Sequence, residues 1–217
     1  MDLLQDWLRL SLTALRVNER LILWNTFLAL IPLILSVWLF RRARHRSPLW
    51  WLLLAVFVAF LPNAPYILTD IIHYVKIMRR PIPESVLIFA VTPQFFLYLL
   101  AGFQCYVLSL INLGAYLRNL GLTSWILPAE LLAHFLSAVG IYLGRFLRWN
   151  SWDLVTRPEE VGRSLARSLS QERPLLAIGV TFLILAALYW PAKQMDLGLA
   201  LRWRHRSPGP QFSPLGR

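Results

Sequence analysis

Long apolar runs alternate with short polar segments along almost the entire chain, and most of the polar segments are basic. A helix needs about 20 apolar residues, at about 1.5 Å of rise per residue, to cross the ~30 Å hydrocarbon core of a bilayer. Five runs approach this length, and we place spans at residues 21–40, 49–72, 86–110, 125–147 and 175–190. The pattern therefore predicts an all-α polytopic transmembrane helical bundle over residues 21–191.

Amphipathic segments lie beside these spans. Residues 1–20 alternate apolar and polar positions with a helical period, which predicts an N-terminal helix that lies on the membrane surface. Residues 156–171 carry a second apolar stripe, formed by Val161, Leu165 and Leu169, which predicts a surface helix after the fourth span. Residues 192–217 form a basic tail that ends rich in proline and glycine, and we expect it to be disordered.

The segment LPNAPYILTDIIHY, residues 61–74, interrupts the second apolar run. From Pro48 to Leu61 the run provides only about 21 Å of helix, which is too short to cross the membrane alone. Either the helix breaks at Pro62 and Pro65 and then resumes, or the segment folds as a re-entrant element. Irregular backbone at this depth is stable only where it is buried in protein or lines a wet cavity, so the segment predicts a polar site.

A second polar motif, GRFLRWNSWDL, follows the fourth span at residues 144–154. At about 100° per residue, Glu130, His134, Ser137, Arg145 and Arg148 fall on one narrow arc of that helix. If each span crosses once, the loops after the second and fourth spans lie on the same side of the membrane, so the two motifs share a face. The candidate ligand-binding residues at this face are Asn63, Tyr66, Asp70, His73, Arg145, Arg148, Trp149, Asn150, Trp152 and Asp153.

These residue types support more than one kind of chemistry. Arg145 and Arg148 are suited to bidentate binding of a phosphate or a carboxylate. Asp70 and His73 are the candidate catalytic residues, because three positions apart on a helix they could act as an acid/base pair. The structural alternative is a salt bridge between helices, from Asp70 or Asp153 to one of the arginines. Tryptophans at a helix end are also typical anchors at the membrane interface.

Glu130 and His134 form a secondary polar pair inside the fourth span. Because they lie near its start, we expect them close to the opposite membrane surface from the two motifs. A hydrogen-bonded pair, a proton-relay element and half of a metal site are all compatible with the spacing. No complete metal motif, dinucleotide fingerprint, phosphate loop or serine-hydrolase elbow occurs, so we predict no bound metal and no cofactor.

The composition narrows the class of partner. The chain is 57% hydrophobic, and 22 Lys and Arg against 11 Asp and Glu give a net charge of +11. In a soluble protein this charge would favour nucleic acid, but here the basic residues cluster at the ends of apolar runs. We therefore expect the lipid bilayer and its anionic head groups as partners, and no nucleic acid. Cys105 is the single cysteine, which rules out an intramolecular disulfide bond.

The distribution of arginines supports two opposite orientations of the bundle in the membrane. Four arginines in residues 41–46 place the first loop in the cytoplasm by the positive-inside rule, and the shared face would then point outward. The arginines that follow the fourth span oppose this orientation; they are Arg157, Arg163, Arg167 and Arg173. No cleavage site for a signal peptide follows the first span, so we expect targeting by an uncleaved membrane segment.

The two motifs, together with NTFLALIPLILS at residues 25–36, resemble the bacterial integral-membrane family called domain of unknown function thirteen-sixty-one. The resemblance extends over roughly residues 21–189. It implies a multi-spanning protein of the bacterial cytoplasmic (inner) membrane. It implies no known activity, so no catalytic residue is carried over from the family.

Three functional hypotheses follow from these observations. The first is a membrane protein that binds or handles an anionic small molecule or a lipid head group at the shared face. The second is a membrane-embedded enzyme in which Asp70 and His73 act on a lipid-linked substrate. The third is a structural or assembly protein whose motifs only hold helices together. The presence of a broken helix favours the first, since such breaks often mark binding sites in membrane proteins.

Overall fold

The computed structural model describes residues 2–43, 45–149, 151–169 and 172–206. Within these ranges every regular element is helical, and five helical stretches are long and apolar enough to cross a membrane. They are Glu19–Arg42, Pro48–Met78, Glu84–Asn119, Thr123–Arg145 and Glu172–Trp203. The predicted all-α polytopic bundle with about five spans is confirmed, and the protein is an integral multi-pass membrane protein.

The N-terminal segment contains one surface helix and the first span. Helix α1 (Asp2–Arg16) is strongly amphipathic and packs on the start of the third span, where Gln94 donates a hydrogen bond to the backbone carbonyl of Leu15 over 3.1 Å. Helix α2 (Glu19–Val37) continues into a π-helical segment, Trp38–Arg42. The predicted helix over residues 1–20 is thus divided by a turn at Val17 and Asn18, and Glu19 already belongs to the first span.

The second span is a broken helix that continues across the membrane. Helix α3 (Pro48–Phe60) is followed by a turn, by one helical turn α4 (Asn63–Tyr66), by a 3-10 segment (Ile67–Asp70) and by α5 (Ile71–Met78). Of the two arrangements that the sequence left open, the structure shows the break with continuation. The span extends six residues beyond the predicted end at residue 72, because α5 continues to Met78 before the connector.

The third span lies at the centre of the bundle. It comprises α6 (Glu84–Val86), a π-helical segment (Leu87–Val91) and α7 (Thr92–Asn119). Helix α7 packs against α2 and α4 and against the fourth and fifth spans, and its Tyr106, Val107 and Leu110 are fully buried. Gly102 permits the closest approach, since a Cβ atom there would overlap the side chain of Ile67 in the 3-10 segment.

The fourth and fifth spans complete the bundle. A 3-10 turn (Thr123–Trp125) leads into α8 (Ile126–Arg145), and two short helices, α9 (Asp153–Thr156) and α10 (Pro158–Leu169), connect it to α11 (Glu172–Arg206). Helix α8 ends at Arg145 rather than at the predicted residue 147. Helix α10 corresponds to the predicted surface helix.

Helix α11 is longer than the predicted fifth span. It extends over 35 residues, so residues 192–206 continue the helix and differ from the predicted disordered tail; residues 207–217 lie outside the described residues. The apolar run ends at Pro191, but the helix continues because two charged side chains beyond it have partners in the bundle. Lys193 pairs with Glu130, and Asp196 accepts a hydrogen bond from Gln104.

Candidate functional site

The broken second span exposes backbone carbonyls that polar side chains from both motifs satisfy. Proline cannot donate a hydrogen bond, so Pro62 and Pro65 interrupt the helical ladder. The side-chain amide of Asn63 donates to the carbonyl of Phe60 over 3.0 Å and to the hydroxyl of Ser151 over 2.8 Å. Asn63 therefore closes the break and ties it to the loop after the fourth span.

Arg145 makes the second connection between the two motifs. From the last turn of α8 its guanidinium donates to the carbonyl of Thr69 over 2.8 Å and to the Tyr66 hydroxyl over 3.4 Å. The same group lies 5.7 Å from the centre of the Tyr66 ring, within the range of a cation–π contact. The structure thus brings the segment at residues 61–74 and the end of the fourth span into direct contact.

Asp70 lies at the centre of this contact, with only 1% of its surface exposed. Its Oδ2 atom accepts hydrogen bonds from the Asn25 amide over 2.7 Å and from the Tyr98 hydroxyl over 2.6 Å. Its Oδ1 atom lies 3.6 Å from a guanidinium nitrogen of Arg145 and 3.9 Å from Nε2 of His73, and it accepts no hydrogen bond from the described residues. One buried carboxyl group therefore connects the first four spans.

Asn25 and Tyr98 are site residues that the sequence interpretation missed. Asn25 stands inside the first apolar run, and Tyr98 is one of the few polar side chains in the third. Polar groups inside spans usually face the bundle and find partners there, and this signal could have identified both. Without knowledge of which helices pack together, it could not have identified Asp70 as the shared partner.

The arrangement of His73 bears on the metal and enzyme interpretations. It is partly exposed and lies beside the Asp70 carboxyl group. Over the part of the chain that the structure describes, no group of three His, Cys, Asp or Glu side chains is close enough to hold a metal ion. His73 and Asp70 therefore form a pair of which only His73 is accessible to solvent.

Arg148 lies beyond the helix that carries Arg145. The predicted arc required the helix to continue past residue 147, but α8 ends at Arg145 and Arg148 adopts a left-handed backbone with φ of 57°. This conformation is strained for an arginine, and such outliers often mark functional sites. Its side chain is exposed and has no hydrogen-bond or ion-pair partner among the described residues. The expectation that both arginines share one helical face is therefore wrong.

The rest of the second motif folds against its own loop and helix α9. Asp153 is buried and accepts a hydrogen bond from Arg157 over 2.8 Å, and the ion pairs of the described residues do not include the predicted one from Asp153 to Arg145 or Arg148. This hydrogen bond and charge raise the pKa of Arg157, whose guanidinium also lies 5.1 Å from the Trp149 ring centre. Asn150, another predicted site residue, lies outside the described residues.

A cavity of about 310 Å³ lies between the two motifs. Its polar wall contains Asn25 of α2, Asn63 and Tyr66 of α4, and Arg148 and Ser151 of the loop after the fourth span. Four of these five residues come from the two motifs that the sequence analysis paired. Asp70 and His73 do not occur among the described residues that line the cavity.

The other walls of the cavity are aromatic and apolar. Trp24, Trp149 and Trp152 line it together with small and aliphatic residues from α2, α3, α8 and α10. Gly140 lets α8 approach the break closely, because a Cβ atom there would lie 2.6 Å from Pro62. An arginine without a partner among the described residues, several hydrogen-bonding groups and aromatic walls are together typical of a small-ligand site.

Glu130 and His134 belong to a separate cluster. Glu130 accepts hydrogen bonds from the Tyr189 hydroxyl over 2.7 Å and from Lys193 over 2.5 Å, and His134 Nδ1 lies 2.7 Å from the Tyr106 hydroxyl. These partners come from α7 and α11, near the start of the fourth span. Neither residue lines the cavity described above.

Comparison with known proteins gives one match. Residues 24–187 match the family model described as Protein of unknown function (DUF1361). No curated protein and no solved structure shows significant similarity to the chain.

Proposed function

The chain belongs to the DUF1361 family, whose description assigns no activity, and we propose from its site that it binds an anionic group of the phosphate or carboxylate type. The observation that carries this proposal is Arg148, an exposed arginine that lines a cavity and has no partner among the described residues. We also propose the bacterial cytoplasmic membrane as its location, as the resemblance to the family implies.

The two arginines have different roles in this proposal. Arg145 donates hydrogen bonds to Thr69 and Tyr66 and lies 3.6 Å from the Asp70 carboxylate as an ion pair, so it holds the broken helix in place. Arg148 makes no side-chain hydrogen bond or ion pair with the described residues, so its guanidinium donors are open to a ligand. A cation without a partner in the described part of the chain, just beyond a membrane span, is a candidate for ligand recognition.

The hydrogen bonds already present leave donors available at the polar wall. Ser151 accepts from Asn63, so its own hydroxyl hydrogen remains available, and Tyr66 accepts from Arg145 in the same way. Asn25 uses one amide hydrogen on Asp70 and keeps the second. Three available donors beside one guanidinium group favour an anion, because hydrogen bonds between charged partners are the strong ones.

The structural alternative rests on a specific observation as well. Asp70 is bonded to three other spans, an arrangement that by itself would lock the bundle. Under this interpretation the cavity is a packing defect and binds nothing. The enzyme hypothesis has less support, since among the described residues neither Asp70 nor His73 lines the cavity.

Titration of the protein in dodecyl maltoside with glycerol 3-phosphate, followed by calorimetry, tests the proposal. We expect the Arg148→Gln variant to bind about 10-fold or more weakly, because a hydrogen bond to a charged group contributes about 1.5–3 kcal/mol. The matched control is Arg80→Gln, which removes the same charge from an exposed residue at the end of the second span. Equal binding by the wild type and both variants would exclude an anion site at Arg148.

A further inference from the structure

We infer that the ligand of this cavity is a membrane lipid with an anionic phosphate head, which enters sideways from the bilayer between α2 and α8. The inference rests on the proposed function, because it needs the anion site at Arg148. It adds the class of ligand and its path.

The position of the cavity between two spans provides the first argument. Helices α2 and α8 each pack against α4, and all three contribute to the walls of the cavity. The cavity is thus a cleft with α2 on one side, α8 on the other and the break in the second span as its floor. The loop with Arg148 and helix α10, through Val161, complete the lining. A cleft between two spanning helices faces lipid at its open side.

Trp24 provides the second argument, because it belongs both to the cavity and to the outer surface of the bundle. It lies in the first span, lines the cavity and is 53% exposed. A second depression, formed by Arg20, Leu21 and Leu23, shares Trp24 and Asn25 with the cavity and continues along the outside of α2. A ligand that extends past Trp24 therefore leaves the cavity onto the mainly apolar outer surface of the first span, towards Arg20 near its start.

The mixed lining of the cleft provides the third argument. Arg148, Asn63 and Ser151 contribute polar groups, whereas Leu28, Ala59 and Leu143 contribute apolar ones. A phospholipid has both parts, a charged head and apolar chains. A small soluble anion would use the polar wall and would gain nothing from the apolar one.

Native mass spectrometry of the full chain in dodecyl maltoside tests this inference. The ligands are dioleoyl phosphatidate, dioleoyl phosphatidylcholine with the same chains, and glycerol 3-phosphate as the soluble head alone. We expect one phosphatidate to bind at a concentration at least 10-fold lower than either of the others. The Arg148→Gln variant should lose this preference.

The path between the helices is tested by adding volume on either side of α2. Leu28→Trp narrows the cleft, and Leu30→Trp adds the same side chain on the lipid-facing surface of the same helix. We expect Leu28→Trp to weaken phosphatidate binding at least 5-fold and to leave glycerol 3-phosphate binding within 3-fold. Leu30→Trp should change neither. Leu28→Phe, with a smaller increase in volume, replaces Leu28→Trp if that variant does not fold.

The outcomes separate this inference from the proposed function. If glycerol 3-phosphate competes as well as phosphatidate, with both dependent on Arg148, the ligand is soluble and only the lipid inference fails. If the variants at Leu28 and Leu30 behave alike, the path between α2 and α8 is excluded. If Arg148→Gln changes the binding of neither ligand, the proposed function fails as well.

Discussion

Replacement of Arg145 by methionine should destabilise the bundle strongly, although the residue lies at the end of a span. The change removes the cation 3.6 Å from the buried Asp70 carboxyl group and the hydrogen bond to the Thr69 carbonyl. Loss of one partner from a buried ion pair costs about 3–5 kcal/mol, because the other charge stays in a medium of low polarity. Arg145 is 21% exposed, so we expect the lower end, about 3 kcal/mol, with about 1 kcal/mol more for the hydrogen bond.

Thermal unfolding in dodecyl maltoside measures this effect. A loss of 3–4 kcal/mol corresponds to a decrease in Tm of about 6–16 °C for a chain of this length. The matched control is Arg80→Met, which removes the same charge from an exposed arginine whose side chain has no partner among the described residues. We expect the control to stay within about 0.5 kcal/mol of the wild type.

A double variant distinguishes the ion pair from the loss of packing. Asp70→Asn combined with Arg145→Met removes both charges and keeps the Asp70 side chain close to its original size. If the cost arises from an unpaired charge, the double variant should recover at least half of the lost Tm. The reasoning would be refuted if the decrease in Tm of the double variant equalled the sum of the decreases in the two single variants. It would also be refuted if Arg145→Met left Tm unchanged.

Three further predictions concern other positions. Gly102→Ala should cost about 1–3 kcal/mol by overpacking, whereas Gly198→Ala, where a Cβ atom meets nothing within 4 Å, should be neutral or slightly stabilising in the same unfolding assay. Arg148→Gly should leave the free energy of unfolding unchanged or raise it by up to about 1 kcal/mol, since glycine tolerates the left-handed backbone. The same variant should lose glycerol 3-phosphate binding in calorimetry. Lys193→Met should lower the free energy of unfolding by about 3 kcal/mol, because Glu130 stays buried without its cation. Combining Lys193→Met with Glu130→Gln should restore most of the lost stability.

Much of the architecture was predictable because lipid imposes a simple rule on sequence. Only helices of about 20 apolar residues satisfy their backbone inside a bilayer, so the five-span, all-α fold follows from run lengths and is confirmed. The interruption at Pro62 and Pro65 was predictable for the same reason, since the run before it is too short. The sequence could not decide between a broken helix and a re-entrant segment, because both satisfy the length rule.

Several features depend on information that periodicity does not contain. The predicted arc with Arg145 and Arg148 assumed an unbroken helix, and the helix ends between them, so the two side chains separate. The fifth span was predicted too short because Lys193 looks like an end signal until its partner on another helix is known. Asn25 and Tyr98 were missed because each makes its contact with Asp70 across a large distance in sequence.

Cys105 is the single cysteine and its thiol is buried, so thiol reagents that stay in water should not react with the chain. Any cysteine introduced at the surface is then the sole target of a membrane-impermeant maleimide. His45 and Ser85 are exposed and lie beyond opposite ends of the second span, so intact cells should label only one of His45→Cys and Ser85→Cys. The Ser85 end is also the end of Arg148, because the second and fourth spans finish on the same side. One pair of replacements therefore identifies the side of the membrane on which the Arg148 end of the bundle lies.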